Sequence, residues 1–365
     1  MEIYVIFLAF IFLYGGATYA LIPDEKKRRT YFLNGVFLVM YLIYALRATS
    51  VGRDLPGYER AYELTALQAW GDYEYIYFEN GYIFLMKLFN ELNFSFQGFM
   101  AVVNLIILLP IYIAIRRYSQ RPFLSVLVYV CYMYFEFNMT GIRQAIATSI
   151  VLLAIVALQE MKKLPLLAYI LLVALATQFH KAAYIAFLYV PFHFIKSWKV
   201  YYSAIVGIAA VFLFGRGAIM SFVKDFFEKD SMNAEAGVYI GLNMVFLLGL
   251  SVMFALGAHN RAVLSRSHPG KLDEKELELQ AMQDKMFLLS IATLFLFGSD
   301  TSVRSYMLLN QVIITHFPNC LRNLFKKESE WIVVVFFWVF FVIFMFTNTL
   351  LANNFDIIPY RFFWQ

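Results

Sequence analysis

The sequence predicts an all-α protein threaded many times through a membrane, and three observations carry that prediction. Hydrophobic residues fill 61% and charged residues 15% of its 365 positions, against roughly 45–50% and about 25% in an average soluble domain. Mean hydropathy is +0.65, too much apolar surface for a water-soluble fold to hide behind so few charges. Apolar runs near the roughly 17–25 residues that cross a bilayer recur along the chain, separated by basic connections. The 39 Phe and 25 Tyr suit lipid-facing surfaces and interfacial belts. Cys131 and Cys320 both fall inside apolar runs, which leaves neither a disulfide framework nor a zinc spacing. The net charge of +5 is a matter of loops and is no nucleic-acid signal.

About twelve spans follow in order, with one further helix that is interfacial or re-entrant. The first, 2–22, lacks a basic start and a small-residue cleavage site, so it reads as a retained helix. The second, 31–46, follows Lys26, Lys27, Arg28 and Arg29 and ends at Arg47. Past an outer stretch, 47–95, come 96–115, closed by Arg116, Arg117 and Arg121, then 122–137, then 144–160, closed by Lys162 and Lys163. Spans 164–179 and 182–195 meet at the tight turn His180–Lys181, and 200–215 follows Lys196 and Lys199. Span 237–257 leads into a charged inner loop, 258–285. Spans 286–299 and 305–321 flank the turn holding Asp300 and Arg304, and 331–350 follows Arg322, Lys326 and Lys327. Nothing interrupts the series, so 1–365 reads as a single transmembrane domain.

Lys and Arg accumulate in cytoplasmic connections, and 19 of the 30 basic residues fall in loops of one parity. The other parity holds most of the acids, among them Asp54, Glu59, Glu63, Asp72, Glu74 and Glu79. Both termini and the stretch 47–95 are therefore expected outside. Within that stretch a Trp/Tyr patch (Trp70, Tyr73, Tyr75, Tyr77) precedes a short apolar run, 81–92, interrupted by Lys87 and Glu91. Such a run is expected to lie in the interface or to dip in and return. The inner run Lys271–Lys285 reads as a solvated, charged surface helix.

Charge inside a membrane helix costs about 2.5–3.5 kcal/mol at the centre, so ionisable residues gathering at one face ask for a reason. Arg47, Arg53, Asp54, Arg143, His180, Lys181, Asp300, Arg304 and Arg361 all fall at outer helix ends or outer loops. Each has a plain alternative. Arg47 would serve as a snorkelling anchor, Arg53 and Asp54 as a turn before Pro56-Gly57, and Arg304 as the i, i+4 partner of Asp300. Arg216, Lys224 and Lys229 among Asp225, Glu228 and Asp230 read as a solvated amphipathic loop. Arg143 is harder to dismiss. It opens a helix just after a break at Asn138–Gly141, where the helix dipole disfavours a cation unless an anion balances it. Arg side chains with a His suit a phosphate or diphosphate, and nearby carboxylates suit activation of a hydroxyl. Residue chemistry alone thus points to an outward site for an anionic substrate, a lipid-linked one among the candidates.

The order of these motifs resembles the EpsG/Wzy-like family of polysaccharide polymerases. Arg47, then Val51-Gly52-Arg53-Asp54 with Tyr58, is similar to that family's first outer loop, and Glu79-Asn80-Gly81-Tyr82 to its acidic-glycine step. Gly141-Ile142-Arg143-Gln144-Ala145 resembles its Arg-Gln helix start, and His180-Lys181-Ala182-Ala183 its His turn. Arg304 with Tyr306, and Pro359-Tyr360-Arg361, fall where further matches are expected. Arg53 departs from the pattern, which more often has a small polar residue there.

The resemblance implies a fold like that of the C-type, lipid-sugar-dependent glycosyltransferases of the bacterial cytoplasmic membrane. The implied reaction moves a growing polyprenyl-diphosphate-linked glycan onto the next lipid-linked repeat at the outer face, toward the periplasm or cell exterior. Arg143, His180 and Arg304 would stabilise the leaving diphosphate, and Asp54, ahead of Glu79, would take the acceptor proton. Arg47 and Arg361 would hold a second diphosphate; Arg53, Tyr58, Tyr82, Gln144 and Lys181 would contact substrate. No cofactor is implied and no metal is demanded, since cationic side chains supply the charge and no paired-carboxylate ligand set is evident. Implied partners are lipid-linked repeat units and membrane lipid, with a flippase and a chain-length regulator beside them. The rival readings are a flippase or transporter, which favours internal repeats and midplane charges, and a membrane O-acyltransferase, expected to keep its His in a buried helical tunnel.

Overall fold

The computed structural model describes residues 1–73, 76–215, 217–219, 221, 242–267, 274–293, 299–324 and 330–365. Their order is α1 (Glu2–Leu21), α2 (Glu25–Ala45), α3 (Leu55–Leu67), α4 (Asn80–Glu91), α5 (Phe96–Tyr118), α6 (Pro122–Cys131), α7 (Tyr134–Thr140), α8 (Ile142–Glu160) and α9 (Pro165–Thr177). A 3-10 segment (Lys181–Leu188) then leads to α10 (Tyr189–His193), α11 (Trp198–Phe214), α12 (Leu242–Ser267), α13 (Glu274–Thr293), α14 (Ser299–Asn310), α15 (Ile313–Leu324) and α16 (Glu330–Phe344). A π-helical stretch, Met345–Leu351, extends α16. Helix starts follow local chemistry. Asp24 and Ser95 accept backbone N–H groups at 2.7 and 3.2 Å, and Pro122 and Pro165 open α6 and α9, where no amide donor is needed.

The protein is an all-helical membrane protein. Among the described residues four helices are long and apolar enough to cross a bilayer: α1, α5, α8 and Trp331–Leu351. Leu13, Leu38, Leu105, Leu171 and Val206 lie exposed on its helices, a distribution suited to lipid and hostile to water. Several of the other segments read as spans are broken or short. The run 122–137 is really α6 and α7, meeting at a 51° bend where Met133 takes φ 56°. The run 305–321 is divided between α14 and α15. Gln311 at that division donates to Thr148 O of α8 and to Leu308 O at 2.7 and 3.1 Å, tying the break to the neighbouring helix. The run 182–195 is a 3-10 segment plus one short helix. The 3-10 rise of about 2.0 Å per residue lets these 13 residues cover about 24 Å.

The inner loop 258–285 is helical from Glu274, in line with the helix expected of its charged run, and differs at its start and in its burial. α12 continues to Ser267 and α13 begins at Glu274, so most of that segment is helix. Nor is it simply a solvated face, because Gln280, Gln283 and Asp284 are buried. The apolar run 81–92 is α4, whose Lys87 is buried and pairs with Glu91 at 2.8 Å.

Hydrogen bonds sort the loops into two ends. At one, Tyr4 donates to Ile357 O (2.8 Å), Ala48 to Arg361 O (2.9 Å) and Gly81 to Gln178 O (2.8 Å). At the other, Arg29 donates to Ile115 O (2.9 Å), Gln120 to Asn319 Oδ1 (2.7 Å) and Lys285 to Ile195 O (2.7 Å), and Arg117 pairs with Glu160 at 3.3 Å. The second end gathers the basic loops; the first holds the Arg, His and carboxylate motifs.

Candidate functional site

At the first end, three breaks in helical structure meet. The turn after α2 bends back at Gly52, whose φ is +118° and whose added Cβ would sit 2.9 Å from Met139 O. Only glycine takes both that backbone and that approach without strain. Arg47, at the end of α2, is buried and donates to Tyr44 O and, at 3.0 Å, to Met139 O, with Asn104 Oδ1 at 3.5 Å. The α7–α8 break is thereby tied to the α2 end. Thr140 Oγ1 completes the tie by accepting from Asp54 N at 3.2 Å. The closing segment lies across this junction, with Gly52 N on Asp356 O and Arg53 N on Phe355 O, both 2.9 Å, and Arg53 Nε on Asp356 Oδ2 at 3.0 Å. Gly52→Ala is expected to cost about 1–3 kcal/mol, the range for a strained backbone position, and to lower the unfolding temperature of the purified protein. An unchanged temperature would contradict the close approach.

A cavity of about 70 Å³ opens at this junction, lined by Arg53, Asp54, Tyr58, Phe137, Thr140, Gly141, Arg143, Gln144, His180 and Phe355. Residues from three separate motifs thus share one space. Arg143, the second residue of α8, is paired with Glu79 at the start of α4. That carboxylate is the anion its helix-start position calls for. Its guanidinium also lies 4.3 Å from the Phe78 ring centroid and 5.9 Å from that of Tyr58. Glu79 is held on its other oxygen by Lys181 N at 3.1 Å. Gly81 allows this arrangement, since a Cβ there would sit 2.7 Å from Gln178 O. His180 Nδ1 accepts from Ala182 N at 3.1 Å, so in the neutral ring the proton sits on Nε2. Burial pushes the Tyr58 phenol up, with the Arg143 guanidinium pulling the other way, and Tyr58 stays a neutral phenol at neutral pH. Asp54 lines the cavity without capping α3 through its side chain.

Other residues singled out in the sequence lie apart from this cavity. Arg47 is spent on carbonyls beneath it. Arg361 is exposed, its carbonyl taken by Ala48 N. These placements set neither around a shared diphosphate. Tyr82 is fully buried, packed edge-on against Tyr58 at 5.6 Å between centroids. Lys181 contributes its backbone to Glu79. Arg304 lies on α14, but its side chain, that of Asp300, and residues 74–75 and 222–241 fall outside the described set. The sequence reading overlooked Phe78 and the closing residues Phe355 and Asp356. An aromatic directly before Glu79 was the only local sign of the first, and nothing local marked the other two.

Against known proteins, the model of the EpsG family matches residues 30–362. No curated protein and no solved structure matches the chain.

Proposed function

The chain belongs to the EpsG family, and from that premise we propose that it is a polysaccharide polymerase acting on lipid-linked saccharides. The reading takes each bent or split helix among the described residues as one passage, twelve in all, and puts the basic loops in the cytoplasm and the cavity at the outer face of a bacterial cytoplasmic membrane. The observation that carries the reading is the convergence of Arg143, His180 and Asp54 from distant motifs on one cavity at the helix ends.

In the proposed reaction an acceptor hydroxyl attacks the anomeric carbon of the growing glycan. The bond from that carbon to its polyprenyl diphosphate breaks, and the diphosphate leaves with the electron pair. Arg143 and His180 meet the charge that develops on the leaving oxygen, a placement worth most in a dry site. Asp54 takes the hydroxyl proton. Glu79 suits that role less, because Arg143 holds one of its oxygens and Lys181 N the other; its part is to position Arg143. Arg304 is proposed as a further cation from α14. No step calls for a metal ion.

The test is the protein in proteoliposomes with a polyprenyl-diphosphate-linked repeat. A ladder of products is expected, and Asp54→Asn should slow it by about 10²-fold or more with insertion unchanged. Movement of the lipid-linked repeat between leaflets without any new glycosidic bond would overturn the reading in favour of a flippase.

A further inference from the structure

The reacting cavity, about 70 Å³, is too small for the sugars on either side of the bond being made. A second cavity, about 560 Å³, lies on the other flank of α3. We propose that this second cavity is a glycan-binding subsite that takes neutral or amino sugars of the substrate chain and rejects acidic ones. The substrate class rests on the polymerase reading; the cavity and its chemistry do not.

Three features support it. First, α3 joins the two spaces: Asp54 and Tyr58 face the first, and Glu59, Tyr62, Glu63 and Ala66 the second. At 1.5 Å per residue, Glu59 and Glu63 stand roughly 8 and 14 Å along the helix from Asp54, so bound sugars would extend directly from the reacting end. Second, the polar lining is rich in acceptors. Glu59 and Glu63 supply carboxylates, and Asn90 and Gln97 line the same space, each with its amide nitrogen donating to a backbone carbonyl, Tyr62 O and Ala45 O. Sugar hydroxyls and ammonium groups are donors that such a wall pairs, whereas a uronate or a diphosphate meets like charge. Third, Phe363 gives an apolar face against which a sugar ring stacks, with the buried Phe96 beneath the same cavity. Phe363 is half exposed, yet it is pinned there by its N–H on Leu46 O at 2.9 Å. This accounts for the closing Tyr360–Trp364 segment, which the catalytic reading leaves without a role.

Saturation-transfer NMR on the full chain in nanodiscs tests this with a glucan trimer, a glucosamine trimer and a galacturonate trimer. The first two are expected to bind and the third not. Glu59→Gln with Glu63→Gln should weaken the glucosamine trimer roughly tenfold; Phe363→Ala should weaken both binders; Arg143→Gln should leave binding unchanged. Absence of binding by all three probes, equal binding of the galacturonate, or binding that survives the Glu59/Glu63 double variant would overturn the subsite. Binding as expected from a protein that makes no product ladder would instead leave the subsite standing and remove the polymerase reading.

Discussion

Replacing Arg143 with glutamine is expected to slow chain extension about 10²–10³-fold, the loss typical of removing one preorganised donor to developing charge. Two effects combine in that variant and are separable. Arg143 is the only cation among the described cavity residues that is both largely buried and at a helix start. Its removal takes away the guanidinium fork and also strands Glu79, whose side chain is only 10% exposed. Stranding a carboxylate lowers stability. The double variant Arg143→Gln with Glu79→Gln relieves that penalty, so it should regain the unfolding temperature of the parent without regaining the product ladder. Arg143→Lys keeps the charge but loses the planar, two-toothed geometry and should fall between. Initial rates of ladder formation, beside thermal unfolding of the same preparations, read both effects. A single glutamine variant that extends chains at the parental rate would remove Arg143 from the chemistry.

Class and family were legible because they depend on features that are local or ordered. Apolar content decides the solvent, and the succession of Gly-Arg-Asp, Glu-Asn-Gly, Gly-Ile-Arg-Gln and His-Lys motifs needs no knowledge of contacts. The bent and split helices were hidden, since a hydropathy run reports how much apolar chain there is and not whether its backbone is continuous. Met133 in the left-handed region looks like any other apolar position in such a run. Arg47 shows the limit at the site. As the end of a span it invites a ligand, but its burial is made possible by Met139 O, 92 residues away, together with Asn104. The clamp of Arg53 by Asp356, 303 residues apart, has no sequence sign at all. A cation's availability is set by which carbonyls and carboxylates reach it, and those come from elsewhere in the chain.

The same blindness concealed a buried charge cluster at the opposite end, and its removal should produce the largest loss of stability. Asp284 belongs to a run so rich in Lys and Glu that solvation is the natural reading, yet its side chain is 4% exposed. Arg261 of α12 pairs with its Oδ2, and His316 Nε2 of α15 lies 2.6 Å from its Oδ1. One carboxylate therefore joins three helices. Asp284→Ala leaves the Arg261 guanidinium buried with its charge uncompensated, which is expected to cost about 3–5 kcal/mol. Removing the whole charged pair is a different experiment. Arg261→Met with Asp284→Leu discards both charges together, and apolar replacement of a buried pair is often neutral or stabilising. The double variant, with His316→Phe added so that no buried imidazole loses its carboxylate partner, should therefore recover most of the unfolding temperature lost in the single one. Activity per folded molecule should stay near parental in both, because the cavity holding Asp54 and Arg143 is at the other end of the bundle. If Asp284→Ala unfolds at the parental temperature, the cluster does not hold these helices. If it keeps its fold but loses chain extension, the two ends are coupled in a way the separation of their hydrogen-bond sets argues against.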